Sequence, residues 1–332
     1  MKRKINFIVI LLLSILVIEV LYLLKYSLIK EDSSINVVKV EKRENLEDQT
    51  IILEKELENN RENVDLLTKL GGQYFITGRY DSSEEVLTKA LKINPDFIPA
   101  MIQIGNLLRY RGRYSESEKM FRRAISLDPD NDSYYVELGK LYRNWNKFKE
   151  AEEAFKSAMK INPKNDLLYS YGLGFLYRDE GRLDDALLMF NKALELNPSN
   201  DFNYMGLGDI YRDMQRYDES EKMFKKAIEM NPKSESYMGL GFLYSFQNRE
   251  KEAEESFKKY LTLIKPKSEV YFGLGNIYMK QKRYVEAESA YLKAAELNPT
   301  LGAYMSLSKL YDFWGRKRES EEMAKLHNEY KI

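Results

Sequence analysis

Proline recurs along this chain at a nearly constant interval, and this spacing constrains the fold more than any other feature. Each of seven prolines follows Asn, Asp or Lys, and consecutive ones are 33 to 35 residues apart: Pro95, Pro129, Pro163, Pro198, Pro232, Pro266 and Pro299. Proline lacks the backbone N–H and clashes with the preceding turn, so it ends a helix. Two apolar-periodic segments with a polar break, such as 109–117, lie between successive prolines. This pattern predicts one antiparallel helix hairpin per interval.

A Gly-Leu-Gly pattern recurs within these intervals and at first resembles a nucleotide-binding loop. It starts at Gly172, Gly206, Gly239 and Gly273, and each time a tyrosine stands three residues after the second glycine. A dinucleotide fingerprint requires a third glycine at that place, after a buried strand. The second glycine of each pattern is therefore interpreted as a packing residue that allows the two helices of a hairpin to approach closely.

The repeating columns resemble the tetratricopeptide repeat over roughly residues 64–332. Counted from the start of each unit, position 8 is glycine in seven of eight units, position 24 is aromatic in six and position 27 is alanine in six. The resemblance implies an all-α, right-handed α-solenoid of about eight helix hairpins. The units are predicted to start near residues 64, 98, 132, 167, 201, 234, 268 and 301.

The sixth unit departs from this pattern. It has Tyr260 where alanine is usual and Glu250 where an aromatic residue is usual, and its proline comes one residue late. A local change of curvature is expected at this unit.

The first thirty residues differ in composition from the repeats. A basic flank, 1–4, precedes an apolar run, 5–24, whose length as a helix matches a bilayer core of about 30 Å. A cleaved signal peptide would have a shorter apolar region and a small-residue cleavage site. The sequence therefore predicts a transmembrane signal anchor contacting the lipid bilayer through 5–24, followed by a linker, 25–45, and a capping helix or partial repeat, 46–63.

The basic flank also predicts a topology. By the positive-inside rule, the N-terminus is expected in the cytoplasm and the repeat domain outside it, periplasmic or at the cell surface in a prokaryote. The predicted protein is thus a single-pass membrane protein.

Charge and composition exclude several functional classes. Lys+Arg and Asp+Glu are both 52, and this balance argues against a nucleic-acid partner. The chain has no cysteine and one histidine, His327, so neither a cysteine nucleophile nor a histidine-based metal cluster can be built. We therefore expect no catalytic residue, no cofactor and no metal, and predict that the protein is not an enzyme.

Three columns on the first helix of each unit stand beside its packing stripe. One of them, position 6, is glycine in four units, Gly172, Gly206, Gly239 and Gly273, and in one interpretation these form the narrow floor of a groove. The resemblance implies that this side lines the concave face, where many family members hold a partner segment. Position 12 is arginine in four consecutive units and position 5 is mostly apolar; the candidate groove residues are Arg109, Arg143, Arg178, Arg212, Tyr171, Met205, Met238 and Phe272. One interpretation is that position 5 packs on the adjacent repeat while the arginines are solvated or pair with Asp179 and Asp213. The other is an adaptable groove for a protein or peptide segment with apolar and acidic side chains.

Two functions fit these observations. The first is a membrane-anchored scaffold or adaptor that binds a partner protein in the concave groove. The alternative is an assembly factor or regulatory subunit of an envelope secretion, pilus, polysaccharide or glycosyltransferase complex, without catalysis of its own. The sequence names neither the partner nor the oligomeric state.

Overall fold

The computed structural model describes residues 49–299 and 302–329, and all regular secondary structure in these residues is helical. The helices form two compact units, divided between Pro129 and Asp130. In the first unit the helices are α1 (49–59), α2 (Val64–Ile76), α3 (Tyr80–Ile93), α4 (Ile98–Tyr110) and α5 (Tyr114–Leu127).

The second unit contains six consecutive hairpins. Its helices are α6 (Asp132–Asn144), α7 (Phe148–Ile161), a π-helix (Leu168–Gly174) continued by α8 (Phe175–Asp179), α9 (Leu183–Leu196), α10 (Asp201–Asp213), α11 (Tyr217–Met230), α12 (Ser236–Phe246), α13 (Glu250–Leu263), α14 (Ser268–Lys280), α15 (Tyr284–Leu297), α16 (Ala303–Phe313) and α17 (Lys317–Glu329). We call the first helix of each hairpin its A helix and the second its B helix. The predicted all-α repeat architecture is confirmed in the described residues.

Glycines of successive A helices leave room for the phenylalanine rings that pack between them. Phe190 on α9 is fully buried between Gly174 of its own hairpin and Gly206 of the next. A Cβ atom at Gly174 would lie 2.7 Å from the ring of Phe190, and one at Gly206 would lie 2.0 Å from it. Phe155, Phe224 and Phe257 occupy corresponding positions. The second glycine of each pattern is thus a packing residue within its hairpin, as the sequence predicts. The first glycine packs against the phenylalanine of the preceding hairpin, which the sequence analysis did not predict.

The π-helix accommodates one extra residue in the chain. Eleven positions separate Pro163 from Gly174, whereas ten separate Pro129 from Gly139 and ten separate Pro198 from Gly208. A π-helix turn holds one residue more than an α-helix turn, because its hydrogen bonds run from i to i+5. The wider turn absorbs the insertion, and Gly174 still lies against Phe190.

A repeated polar contact, which we call the clasp, joins successive hairpins. In a clasp, a tyrosine and an arginine of one hairpin both donate to a glutamate of the preceding helix. Glu221 on α11 accepts from Tyr244 Oη at 3.0 Å and from Arg249 Nη1 at 2.7 Å. The guanidinium carbon of Arg249 also lies 4.2 Å from the centre of the Tyr244 ring. The same contact is made at Glu54, Glu152 and Glu288.

Two junctions of the second unit lack a complete clasp in the described residues. Between α13 and α14, Glu254 accepts from Arg283 Nη1 at 2.7 Å but not from Tyr278. Between α9 and α10 the position of the glutamate is occupied by Leu187. Arg216 still lies over the ring of Tyr211, at 4.6 Å, but its ion pair is with Glu219 of its own helix, at 2.8 Å. The A helices of these two hairpins are nevertheless joined, because Asn200 Nδ2 donates to Asp166 Oδ2 at 2.7 Å.

The clasps predict how stability depends on pH. Burial raises the pKa of Glu221, but hydrogen bonds from Lys225, Arg249 and Tyr244 outweigh it and lower this pKa from 4.5 to about 2. A lowered pKa contributes stability that is present above pH 4.5 and is lost as the pH falls towards 2. Burial and the bond to Glu221 raise the pKa of Tyr244 from 10.0 to about 12, so its contribution is present below pH 10 and lost towards 12.

We therefore expect the free energy of unfolding, measured by urea denaturation, to be highest between these limits and to fall on both sides. In Glu221→Gln the loss between pH 7 and about pH 3 should be smaller than in the wild type, because the titrating carboxylate is gone. Glu195→Gln, at an exposed pair with Lys192, is the control and should change the profile little. Equal pH profiles for wild type and Glu221→Gln would contradict this role of the clasp.

Tyr260 on α13 is a buried exception to the alanine column. Its side chain is fully buried, and burial raises its pKa to about 12. Its hydroxyl has no hydrogen-bond partner in the part of the chain that the structure describes. The next helix, α14, begins only at Ser268, after an irregular segment, 265–267. The large ring therefore fills space that an alanine methyl group fills in the other hairpins.

The predicted localisation, a single-pass membrane protein with an extracytoplasmic repeat domain, is wrong. Across 49–299 and 302–329, none of the helices combines the length and the apolar character needed to span a bilayer. The helices of the second unit have at most 14 residues, about 21 Å, whereas a bilayer core is about 30 Å thick. The predicted anchor, 5–24, with its flank, 1–4, and linker, 25–45, lies outside the described residues.

Candidate functional site

A cavity of about 480 Å³ opens between the A helices of three consecutive hairpins in the second unit. We call it the Tyr171 cavity. Its walls come from α6, from the π-helix and the loop before it, and from the start of α10; they include Asp132, Val136, Lys140, Leu167, Tyr171 and Phe202. This volume is within the range of about 300–1,000 Å³ that is typical of ligand pockets.

One side of the Tyr171 cavity is aromatic. The side chain of Tyr171 is 41% exposed, and that of Leu167 is 47% exposed. The ring centres of Tyr171 and Phe202 are 6.1 Å apart, and Phe175 lies 5.9 Å from Tyr171 and 5.7 Å from Phe202. Phe175 in turn contacts buried Phe190 edge to face at 5.2 Å. The exposed rings are therefore supported by the packed core.

The other side of the cavity is polar. Asp132 Oδ2 accepts hydrogen bonds from Asn162 Nδ2 at 3.2 Å and from Asn165 Nδ2 at 3.5 Å. Lys140 Nζ pairs with Glu137 at 2.8 Å and lies 5.4 Å from the centre of the Tyr171 ring. The described residues contain no group of three or more His, Asp or Glu side chains that could hold a metal ion.

The predicted groove arginines of the second unit lie in a ladder of ion pairs. Arg143 Nε donates to Asp179 Oδ2 at 2.6 Å, and Arg178 Nε donates to Asp213 Oδ2 at 2.6 Å. Arg212 pairs with Asp209 at 2.7 Å. The ladder, which we define as these three arginines with Asp179, Asp209 and Asp213, has no net charge. Two of its pairs join one A helix to the next.

Asp209 is the most enclosed acid of the ladder. Burial raises its pKa, although Arg212 and Arg178 both lower it. Its carboxylate therefore depends on these two arginines for its charge, and removing either one would leave a poorly solvated anion.

The remaining predicted residues fall into two environments. Arg109 is in the first unit, where its Nη2 donates to Asn106 Oδ1 at 2.9 Å. Met205, Met238 and Phe272 are half-buried and pack against the core of the second unit. Among the four predicted residues at position 5, Tyr171 is the exposed one and is the one that lines the cavity.

Sequence reasoning did not identify Asp132, Phe202 or Asp209. The 35-residue interval between Pro163 and Pro198 was the available indication that the A helix after Pro163 is irregular. Nothing in the sequence indicated that Asp132 lines a cavity, because the residues that face it across the cavity come from the following hairpin.

Helix hairpins that pack in series, with A helices lining an open face, define an α-helical repeat protein of the interaction class. Family models described as tetratricopeptide or TPR repeats match residues 64–97, 105–144, 132–165, 169–200, 202–265 and 268–301. The chain therefore belongs to the tetratricopeptide-repeat family. No curated protein sequence matches it.

Solved structures share this fold. Yeast Tom70 superposes with a TM-score of 0.70 at 21% identity, covering 83% of this chain and 60% of that one. A tetratricopeptide repeat protein from Parabacteroides merdae gives 0.58 at 22% identity, covering 80% and 98%. The APC/C hetero-tetramer Cut9–Hcn1 gives 0.55 at 17% identity, covering 82% and 56%. The chain thus spans less than two thirds of the Tom70 chain, and at these identities the likeness concerns the fold alone.

Proposed function

We propose that this protein is a non-catalytic scaffold that holds a segment of a partner protein against the A helices of its second unit. The tetratricopeptide-repeat fold supports a protein–protein interaction scaffold in general. The observation that supports this surface in particular is the Tyr171 cavity, where aromatic side chains are exposed and rest on the packed core. Aromatic anchors at well-packed positions are typical of binding hot spots.

The arginine ladder is the second part of the proposed surface. A partner's acidic side chain could bind Arg143 or Arg178 by replacing Asp179 or Asp213. These aspartates are 42% and 29% exposed, and pairs at such sites contribute about 0–1 kcal/mol. Replacing one of these aspartates by a carboxylate of the partner therefore costs little free energy. We propose that apolar contacts at the cavity provide most of the affinity, while the ladder orients acidic residues of the partner.

Site-specific photo-crosslinking tests this proposal. A benzophenone amino acid in place of Tyr171 should crosslink a discrete partner in cells that produce the protein. The same group in place of Leu292, which is 45% exposed on B helix α15, is the matched control. Once the crosslinked peptide is identified by mass spectrometry, Tyr171→Ala should weaken its binding about tenfold or more, as expected for a hot-spot aromatic residue.

Leu292→Ala should bind that peptide as the wild type does. Crosslinks formed from position 292 but not from 171, or unchanged affinity in Tyr171→Ala, would exclude the A-helix face as the partner site.

A further inference from the structure

We infer that the Tyr171 cavity selects partner segments in which a basic side chain stands next to an apolar one. This inference rests on the proposed function and specifies the chemistry of the partner at one site. It concerns Asp132 in the first turn of α6, whereas Arg143, which could attract acidic residues, lies in the last turn of the same helix.

The carboxylate of Asp132 is held by neutral hydrogen-bond donors. Both of its hydrogen-bond donors are neutral side-chain amides, Asn162 and Asn165. The amides hold the carboxylate in place without contributing a positive charge, and the N-terminus of α6 offers only a partial one. Among the described residues of the second unit, Asp132 forms no ion pair.

The neighbouring charges cancel one another. Glu137 and Lys140, both on the cavity wall, are 2.8 Å apart, and their side chains are 19% and 26% exposed. The Arg143–Asp179 pair at 2.6 Å is likewise complete. The lining of the cavity therefore has one negative charge in excess, at Asp132. An acidic partner residue would meet repulsion there, whereas a lysine or arginine would find a carboxylate already oriented.

The aromatic wall favours the same occupant. The alkyl stem of a lysine or arginine packs on apolar surface while its charged end stays at a polar edge. Rings such as Tyr171 and Phe202 also attract cations to their faces, and Lys140 already lies 5.4 Å from the Tyr171 ring centre. Leu167 and Val136 complete an apolar surface for the neighbouring side chain of the partner. The cavity thus offers one apolar site and one anionic site within about 480 Å³.

A random peptide library of about twelve residues displayed on phage, selected on the full chain, tests this inference. Enriched peptides should contain lysine or arginine beside an aromatic or aliphatic residue. A synthetic copy of the most enriched peptide should bind Asp132→Asn about tenfold or more weakly, because a charge-assisted hydrogen bond contributes about 1.5–3 kcal/mol. Asparagine keeps the acceptor for Asn162, so the fold should be retained, as circular dichroism can verify.

Asp201→Asn is the matched control. Asp201 is also the first residue of an A helix and also accepts from an asparagine, Asn231 at 2.9 Å, but it lies outside the cavity lining. Its replacement should leave peptide binding unchanged. If Asp132→Asn did not fold, the peptide with its basic residue changed to glutamine should still bind the wild type about tenfold more weakly.

Enriched peptides that are acidic or uncharged, no enriched peptide at all, or equal binding by Asp132→Asn would overturn the inference. Peptides without a basic residue that crosslink from position 171 would overturn it while leaving the proposed function intact. Peptides that bind and crosslink from position 292 alone would instead remove the proposed function itself.

Discussion

Tyr260→Ala should lower the free energy of unfolding by about 3–5 kcal/mol, although alanine is the usual residue at this position of the other hairpins. The ring is fully buried, and the irregular segment 265–267 precedes α14. Truncation therefore loses the burial of the ring and creates a cavity. Urea denaturation followed by circular dichroism measures the loss.

Tyr260→Phe is the control for this prediction. Because the hydroxyl has no hydrogen-bond partner in the described residues, its removal should be neutral or stabilising by up to about 1 kcal/mol. Wild-type stability of Tyr260→Ala would mean that α13 and α14 close around alanine as the other hairpins do. A large loss in Tyr260→Phe would mean that the hydroxyl has a partner after all.

Gly206→Ala should lower the free energy of unfolding by about 2 kcal/mol. The new methyl group would lie 2.0 Å from Cε1 of Phe190 and 2.5 Å from its Cζ. Phe190 cannot move aside, because Gly174 holds the opposite edge of the ring at the same close range. Overpacking of this kind costs about 1–3 kcal/mol and occasionally more, which exceeds the gain of about 1 kcal/mol in helix propensity.

Gly72→Ala provides the same substitution in a helix without the clash. A methyl group there would meet only the end of the Gln103 side chain, at 3.0 Å, and this side chain is flexible. Denaturation should show Gly72→Ala to be neutral or more stable by up to about 1 kcal/mol. Similar effects of the two substitutions would contradict the assignment of Gly206 as a packing site for Phe190.

The sequence was sufficient to predict the hairpins, because proline spacing and small-residue columns act locally or between adjacent helices. The packing role of Gly208 followed from the same reasoning, whereas Gly206, interpreted from the sequence as part of a groove floor, packs against Phe190. The ion-pair ladder was anticipated only as one of two interpretations of Arg143, Arg178 and Arg212. That interpretation named Asp179 and Asp213 as partners but not which arginine pairs with each. Arg143 pairs with Asp179 of the next hairpin, and the distance between hairpins depends on packing that the sequence pattern does not contain.

The Tyr171 cavity was beyond sequence reasoning for a different reason. Tyr171 was among the predicted residues, but Asp132 and Phe202 come from the hairpins before and after it. The relative position of these three side chains depends on a one-residue insertion that the chain accommodates as a π-helix. The repeat pattern does not indicate where in the unit this π-helix lies. The partner-binding role of these residues, and of Arg109 in the first unit, remains a prediction.

The junction between α9 and α10, where Leu187 replaces the glutamate of the clasp, is expected to be less stiff in bending than the junctions with a clasp. In a repeat array, mechanical stiffness is a series of nearest-neighbour springs, and the softest spring absorbs most of the bending. Between α9 and α10 the A helices are tied by Asp166 and by the Arg178–Asp213 pair, while the clasp position holds only an aliphatic side chain. We expect thermal bending to concentrate at this junction, with the B-helix side, which lacks the clasp, separating more than the A-helix side. The Tyr171 cavity includes Phe202 of α10, on the other side of this junction, so its width would change with each such movement.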